Sequence, residues 1–321
     1  MILSKAFRGF DIYLRSEGYS NSTLELYTHD LLLFIEHLGD KEINEVEEGD
    51  LVEFFVYLRE VYHKQTGRDK ELSGSTLQNY WKAIRTFFGW AKRSRYIIDR
   101  PDINMMMPRN NPRVIMPFEE AEVKALLKCA EYTKEAQTLG RAGFKMKRYS
   151  ALRDVALLVL LLDTGLRAGE AGRLTIEDIN FKNEEIFIQP FGSSMRKTKS
   201  RVIPLGKSAK RVLWDYMVTF RDGASPKDPV FMSKNHRPMN NESILQLVRS
   251  LGKAAGVKNA HPHRLRHTFA IQYLRNGGDI FTLKSILGHS TLDMVQHYLQ
   301  LANTDATVAH RKASPADKWH L

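Results

Sequence analysis

Four prolines, Pro101, Pro108, Pro112 and Pro117, fall between Asp99 and Pro117, and no long apolar pattern runs through them. Proline lacks a backbone donor and pushes the residue before it out of helical geometry, so this stretch reads as extended. It divides the chain into a first part at 1–104, a linker at 105–117 and a second part at 118–321. A length of 321 residues suits two domains of ordinary size.

The first part predicts four helices. Phe7, Phe10, Ile12, Tyr13 and Leu14 form the apolar side of one that Gly18 ends. Ser22 and Glu25 have capping-box spacing before a helix from Leu24 to Leu38, closed by Gly39. Asp50 caps a third helix through Tyr62, and Ser75 or Thr76 opens a fourth that runs to Arg95. On the fourth, Leu77, Ile84 and Phe88 read as core, whereas Gln78, Lys82 and Arg85 share another face with Asn79 near its edge.

The second part mixes helices with a small hairpin. Helical patterns cover Glu119–Ala130, Arg153–Leu162, Ser208–Thr219, Ser243–Ala255, Pro262–Arg275, Thr282–Leu287 and Thr291–Leu301. Glu185–Gln189 and Arg201–Leu205 are strand-like, and Phe191–Ser200 joins them with Arg196, Lys197 and Lys199 at its tip. Residues 131–150 are polar and basic and receive no role. The expected fold is mainly α with a small β hairpin, a helical domain followed by a mixed α/β domain.

Charge is unevenly shared. Up to Asn110 there are 15 Lys+Arg against 17 Asp+Glu; the remainder holds 33 against 20, within a total of +11. A basic second domain suits a polyanionic partner as well as a merely solvated cationic surface. Within the first part, Glu36–Glu60 is acidic and Lys64–Arg95 is basic, so one side would repel a phosphate backbone and the other attract it. The single Cys129 excludes an internal disulfide and fits a reducing cytosol. The longest apolar run, Val155–Leu162, is too short for a bilayer, and Met1–Lys5 leads into an amphipathic pattern instead of a signal peptide. A cytoplasmic protein with no membrane partner is expected.

The second part also carries an ordered set of reactive residues: Thr164-Gly165-Leu166-Arg167-Ala168-Gly169-Glu170, then His261-Pro262-His263-Arg264-Leu265-Arg266-His267, then Leu287-Gly288-His289-Ser290, then His297-Tyr298. The order Arg, His-x-x-Arg, His, Tyr resembles the tyrosine recombinase (phage integrase) family, of the compact Xer-like or transposon-encoded type. The resemblance spans nearly the whole chain. It implies an N-terminal core-binding (SAM-like) domain, a catalytic domain, and site-specific cutting and rejoining of double-stranded DNA through a 3′-phosphotyrosine. A homotetramer on two DNA sites, with a C-terminal tail packed on a neighbour, is implied in the same way.

Transfer of a phosphodiester requires two non-bridging oxygens to be neutralised, a nucleophile, and a proton for the leaving 5′ oxygen. Guanidiniums stay charged and fork onto phosphate oxygens; Arg167 and Arg266 match the family's two arginines. His263 and Arg266, three apart on one helix, reach the same spot. The resemblance gives His263 proton movement at the tyrosine or a hold on the phosphate. It gives His289 a hydrogen bond to a non-bridging oxygen, Tyr298 the attack, and Glu170 an orienting role. Nine helical residues span about 13.5 Å, so His289 and Tyr298 meet one phosphate only if Gly288 turns the chain between them. Lys197 stands where the family carries its leaving-group acid, and other alignments put Arg196 or Lys199 in that slot. His261, His267 and His297 read as structural. His263 and His267 have the spacing of a zinc helix but lack the following Glu, and two arginines crowd them, so neither metal nor cofactor is expected. The Gln78, Asn79, Lys82 and Arg85 face is expected on DNA, with the linker letting the two domains close around a duplex. Two rivals remain: a type IB topoisomerase, disfavoured by the two-domain layout and tail, and an inactive DNA-binding accessory protein, disfavoured by the complete reactive set.

Overall fold

The computed structural model describes residues 1–62, 71–110, 116–133, 146–192 and 200–288, with Tyr298, Ser314 and Ala316. Its described residues divide into two compact units, the first 1–110 with 191–192 and the second 116–190 with 200–288.

In the first unit, α1 (Leu3–Ser16) buries Leu3, Ala6, Phe10 and Leu14, a helical stripe. Ile12 falls outside that stripe and is 69% exposed, so its expected place in the core is corrected. The capping box at Ser22 is also corrected: the cap of α2 (Asn21–Leu38) lies two residues earlier, where the Ser20 hydroxyl accepts from the Thr23 N–H at 3.3 Å. Helix α3 (Glu48–Tyr57) opens with the Asp50 carboxylate accepting the Glu47 N–H at 2.8 Å and runs on as a π turn, Leu58–Tyr62. Ser73, upstream of the two expected caps, accepts from the Thr76 N–H at 3.2 Å and starts α4 (Gly74–Arg93). Leu77, Ile84 and Phe88 enter the core as their spacing requires. Edge-on ring pairs such as Phe34–Phe54 (5.1 Å) and Phe87–Phe88 (5.2 Å) fill it, each adding about 1 kcal/mol beyond area burial. The proline-rich stretch is not free from its outset: Trp81 Nε1 donates to Met105 O at 3.3 Å, and Asp102, 1% exposed, pairs with Arg100.

The second unit is built around α6 (Ala151–Thr164), whose Leu157, Leu160 and Leu161 are fully buried. Against it pack α5 (Glu120–Glu131), α8 (Lys207–Phe220) and α10 (Pro262–Arg275). Between α6 and α8 come the single turn α7 (Ala168–Ala171) and three antiparallel strands in the order β1 (Ile179–Asn180), β2 (Glu185–Ile188), β3 (Arg201–Pro204). The hairpin register pairs Ile188 with Arg201 and Glu185 with Pro204. Helices α9 (Asn241–Ala255) and α11 (Ile280–Leu287) complete the described elements. Strand β1 was not foreseen; two residues carry no readable alternation. In the 131–150 segment, Tyr132 bridges Lys147 at the base, and residues 134–145 lie outside the described set. The helix expected at Thr291–Leu301 also lies outside it, except for Tyr298. The result is the expected mainly helical fold with a small sheet.

Candidate active site

Helix α6 ends because Gly165 turns left-handed (φ 63°). A Cβ there would sit 2.4 Å from Phe269 and 2.8 Å from Leu287, so this glycine answers both a backbone and a space requirement. Arg167 then stands at the N-cap of α7, and the Glu170 carboxylate accepts the Arg167 N–H at 2.9 Å. The Arg-x-x-Glu spacing is thus a helix start that anchors the arginine's backbone while its side chain stays 40% exposed. Glu170, its side chain 3% exposed, also receives Arg167 Nη1 at 3.3 Å and a fork from Arg201.

Pro262 begins α10, and His261 Nδ1 accepts the Arg264 N–H at 3.1 Å. Arg264 and Arg266 then point to opposite sides. Arg264 donates to Met116 O (3.0 Å), Pro117 O (3.2 Å), Lys258 O (2.8 Å) and Glu122 (2.8 Å), and its guanidinium covers the Phe118 ring at 4.0 Å. It fastens the start of this unit to α10. Arg266, 1% exposed, donates to Gly165 O at 2.6 Å and Leu287 O at 2.8 Å. It therefore ties together the two loops that precede Arg167 and His289. On the same helix the His263 ring lies 4.5 Å from that of His267, which in turn meets the buried Tyr298 ring edge-on at 5.2 Å.

Arg167, His263 and Arg266 line one cavity of about 480 Å³. Asn241 and Arg249 of α9 and His261 line it too, which makes its wall strongly cationic. His263 reaches solvent at the cavity mouth, yet burial, then Arg266, His261 and Arg167, hold it below the ordinary imidazole value. Burial, then Arg167, lowers Arg266 to about 10, so it stays cationic at neutral pH. Burial raises the Tyr298 phenol against the pull of Arg266 and Arg167, so it rests protonated. Two expected members, Lys197 and His289, lie outside the described residues; Gly288, with φ 66°, does make the turn expected before His289. Among the described residues, no three His, Cys, Asp or Glu side chains are grouped to hold one metal ion.

Residues 117–305 match the Phage integrase family, and residues 7–91 match its N-terminal SAM-like domain. The chain belongs to the phage integrase family. It is a tyrosine-type site-specific recombinase, an enzyme that breaks and rejoins DNA. The recombinase is 27% identical to the tyrosine recombinase XerC of Listeria welshimeri, over 94% of this chain and 95% of that one. It is 28% identical to XerC of Bacillus subtilis, over 90% of each. A Tn1549 transposon integrase in complex with a circular intermediate DNA matches with TM-score 0.74 and 21% identity, covering 97% of this chain and 99% of that one. A lambda integrase dimer bound to a COC′ core site matches at TM-score 0.69 and 16% identity, covering 93% and 95%.

Three residues beside the expected ones were not singled out by sequence reasoning: Asn241 and Arg249 line the cavity from α9, and Arg201 pairs with Glu170 from β3. His267, read as structural, packs between the rings of His263 and Tyr298. In the first unit the half-buried Gln78 amide donates to Pro108 O at 2.9 Å, which ties its helix to the linker. Arg85 stacks on Trp81 at 5.0 Å and lies 3.9 Å from Asp102, which leaves it 39% exposed. Lys82 is exposed, and Asn79 is half-buried beside it. Among the described residues, no helix is long and apolar enough to cross a membrane.

Proposed function

We propose that Tyr298 attacks the scissile phosphorus of a DNA recombination site while Arg167 and Arg266 neutralise its non-bridging oxygens. The phenol proton passes to neutral His263, the phosphorus–5′ oxygen bond breaks, and Lys197 protonates the departing oxygen. His289 adds a hydrogen bond to a non-bridging oxygen, and Glu170 orients Arg167. A 5′ hydroxyl of the partner strand reverses these steps, so no external energy source, metal or cofactor enters. The observation that carries this reading is the convergence of Arg167, His263 and Arg266 on one cationic cavity, with Tyr298 packed on the same helix. Asn241 and Arg249 on the neighbouring wall fit the flanking duplex.

The same reading assigns 1–104 to core binding, with Lys82 and Asn79 on the duplex, 105–117 to a linker and 118–321 to catalysis. It places the enzyme in the cytoplasm, as a homotetramer on two double-stranded sites. A cavity of about 800 Å³ between α5, β3 and α10, lined by apolar side chains such as Leu127, Ile203, Phe269 and Ile286, suits the Val308–Trp319 tail of a neighbouring copy. The test is Tyr298→Phe, which should bind site DNA and form no SDS-stable adduct. An adduct formed by that variant refutes the assignment.

A further inference from the structure

Arg201 opens β3, and nothing near it in sequence marks it as part of a site. In the fold its side chain is 8% exposed and every guanidinium nitrogen is engaged. Nη1 and Nη2 fork onto the two oxygens of Glu170 at 3.0 and 2.9 Å, and Nε donates to Ile286 O at 2.8 Å. The Glu170 carboxylate therefore stands between two guanidiniums: Arg201, enclosed, and Arg167, open to the cavity. Burial alone would raise the Glu170 carboxyl; the hydrogen bonds and charge of Arg201, with those of Arg167, overcome it and hold the group below its ordinary value.

We propose that Arg201 is a positioning residue for DNA cleavage: by satisfying Glu170 it leaves the Arg167 guanidinium available to the scissile phosphate. This rests on the assignment of Arg167 to that phosphate. The trio of Arg167, Glu170 and Arg201 carries one net positive charge. Without Arg201 the net charge is zero, and an enclosed carboxylate has Arg167 as its remaining cation of the trio. Attraction in a low-dielectric setting then draws Arg167 inward, in direct competition with the phosphate. A second effect acts in the same sense. Arg201 on Ile286 O and Arg266 on Leu287 O hold the last carbonyls of α11, where cations suit the helix C-terminus. A Cβ at Gly288 would lie 3.0 Å from Arg201 Nη1, so the absence of a side chain there makes room for the guanidinium.

The test measures covalent adduct formation on a nicked suicide substrate by the full chain, with thermal unfolding alongside. R201M should slow cleavage on the order of 100-fold, the loss seen when one charge-stabilising group is removed, with a smaller change in site binding. Adding E170Q removes the competing charge while the amide oxygen still accepts the Arg167 N–H, so R201M/E170Q should return to about the rate of E170Q alone. If R201M does not fold, that pairwise comparison carries the same test. A bridging 5′ sulfur should leave the R201M deficit in place, because proton donation to the leaving group is not what is lost. The proposal is overturned if the double variant, folded as well as E170Q, stays as slow as R201M, or if sulfur restores R201M. Arg167→Ala run in parallel separates the two levels. Wild-type cleavage by that variant removes the assignment of Arg167 and this proposal together. Impaired cleavage by it with no recovery in the double variant removes this proposal alone.

Discussion

Gly165→Ala should damage the site more than its size suggests. Forcing alanine into a left-handed position costs about 1–2 kcal/mol. The added methyl would lie 2.4 Å from Phe269 and 2.8 Å from Leu287, and overpacking of that kind costs about 1–3 kcal/mol. A total near 3 kcal/mol corresponds to a fall in melting temperature of roughly 6–12 °C for a unit of this size. Gly165 O also receives Arg266 at 2.6 Å, so any shift that relieves the clash moves that guanidinium. Misplacing a reacting group by about 1 Å lowers rates on the order of 100-fold. Calorimetry and suicide-substrate cleavage should both report the change, with the rate loss persisting well below the melting temperature. A Gly165→Ala chain that melts within a degree of wild type and cleaves normally refutes the reasoning.

Because His263 is held below the ordinary value, first by burial and then by Arg266, His261 and Arg167, the acid limb of the cleavage profile should lie below pH 6.5. The unfolded chain binds that proton at higher pH than the folded one, so the His263 contribution to stability is complete above pH 6.5 and lost as pH falls toward the folded value; an acid limb above 6.5 contradicts this. Lys197→Ala should be slow on the ordinary substrate and largely rescued by a bridging 5′ sulfur, whereas rescue of Lys199→Ala alone would move the acid role to Lys199. Lys82→Ala should flatten the log-affinity against log-salt slope by about one unit. Gln78→Ala should leave that slope unchanged and lower stability by about 1 kcal/mol, read by denaturant titration.

Local signals carried the helices and the reactive order, and they failed where a partner lies far along the chain. Ser20, Ser22 and Thr23, like Ser73, Ser75 and Thr76, crowd several capping hydroxyls into a few positions; the hydroxyls bond to one another, and only the backbone decides which one accepts. The shared face of Gln78, Lys82 and Arg85 was correctly drawn on the helix. Its solvent exposure was not readable, because Pro108 O arrives from 30 residues away. Arg167 and Glu170 announce themselves by a helix-start spacing, whereas Arg201 meets Glu170 across 31 residues and looks like an ordinary strand opening. The packing of His267 against Tyr298 was equally unreadable, because no sequence spacing places the two rings together.

The cross-links of Arg266 and Arg201 have a bearing on how the chain matures. Arg266 reaches Gly165 across 101 positions, and Arg201 reaches Ile286 across 85. Pairings this distant form late, after shorter loops have closed. Opening of the Gly165 turn or of the end of α11 also withdraws an acceptor from a buried guanidinium, so a local loss of structure at either place is felt at both ends of a cross-link.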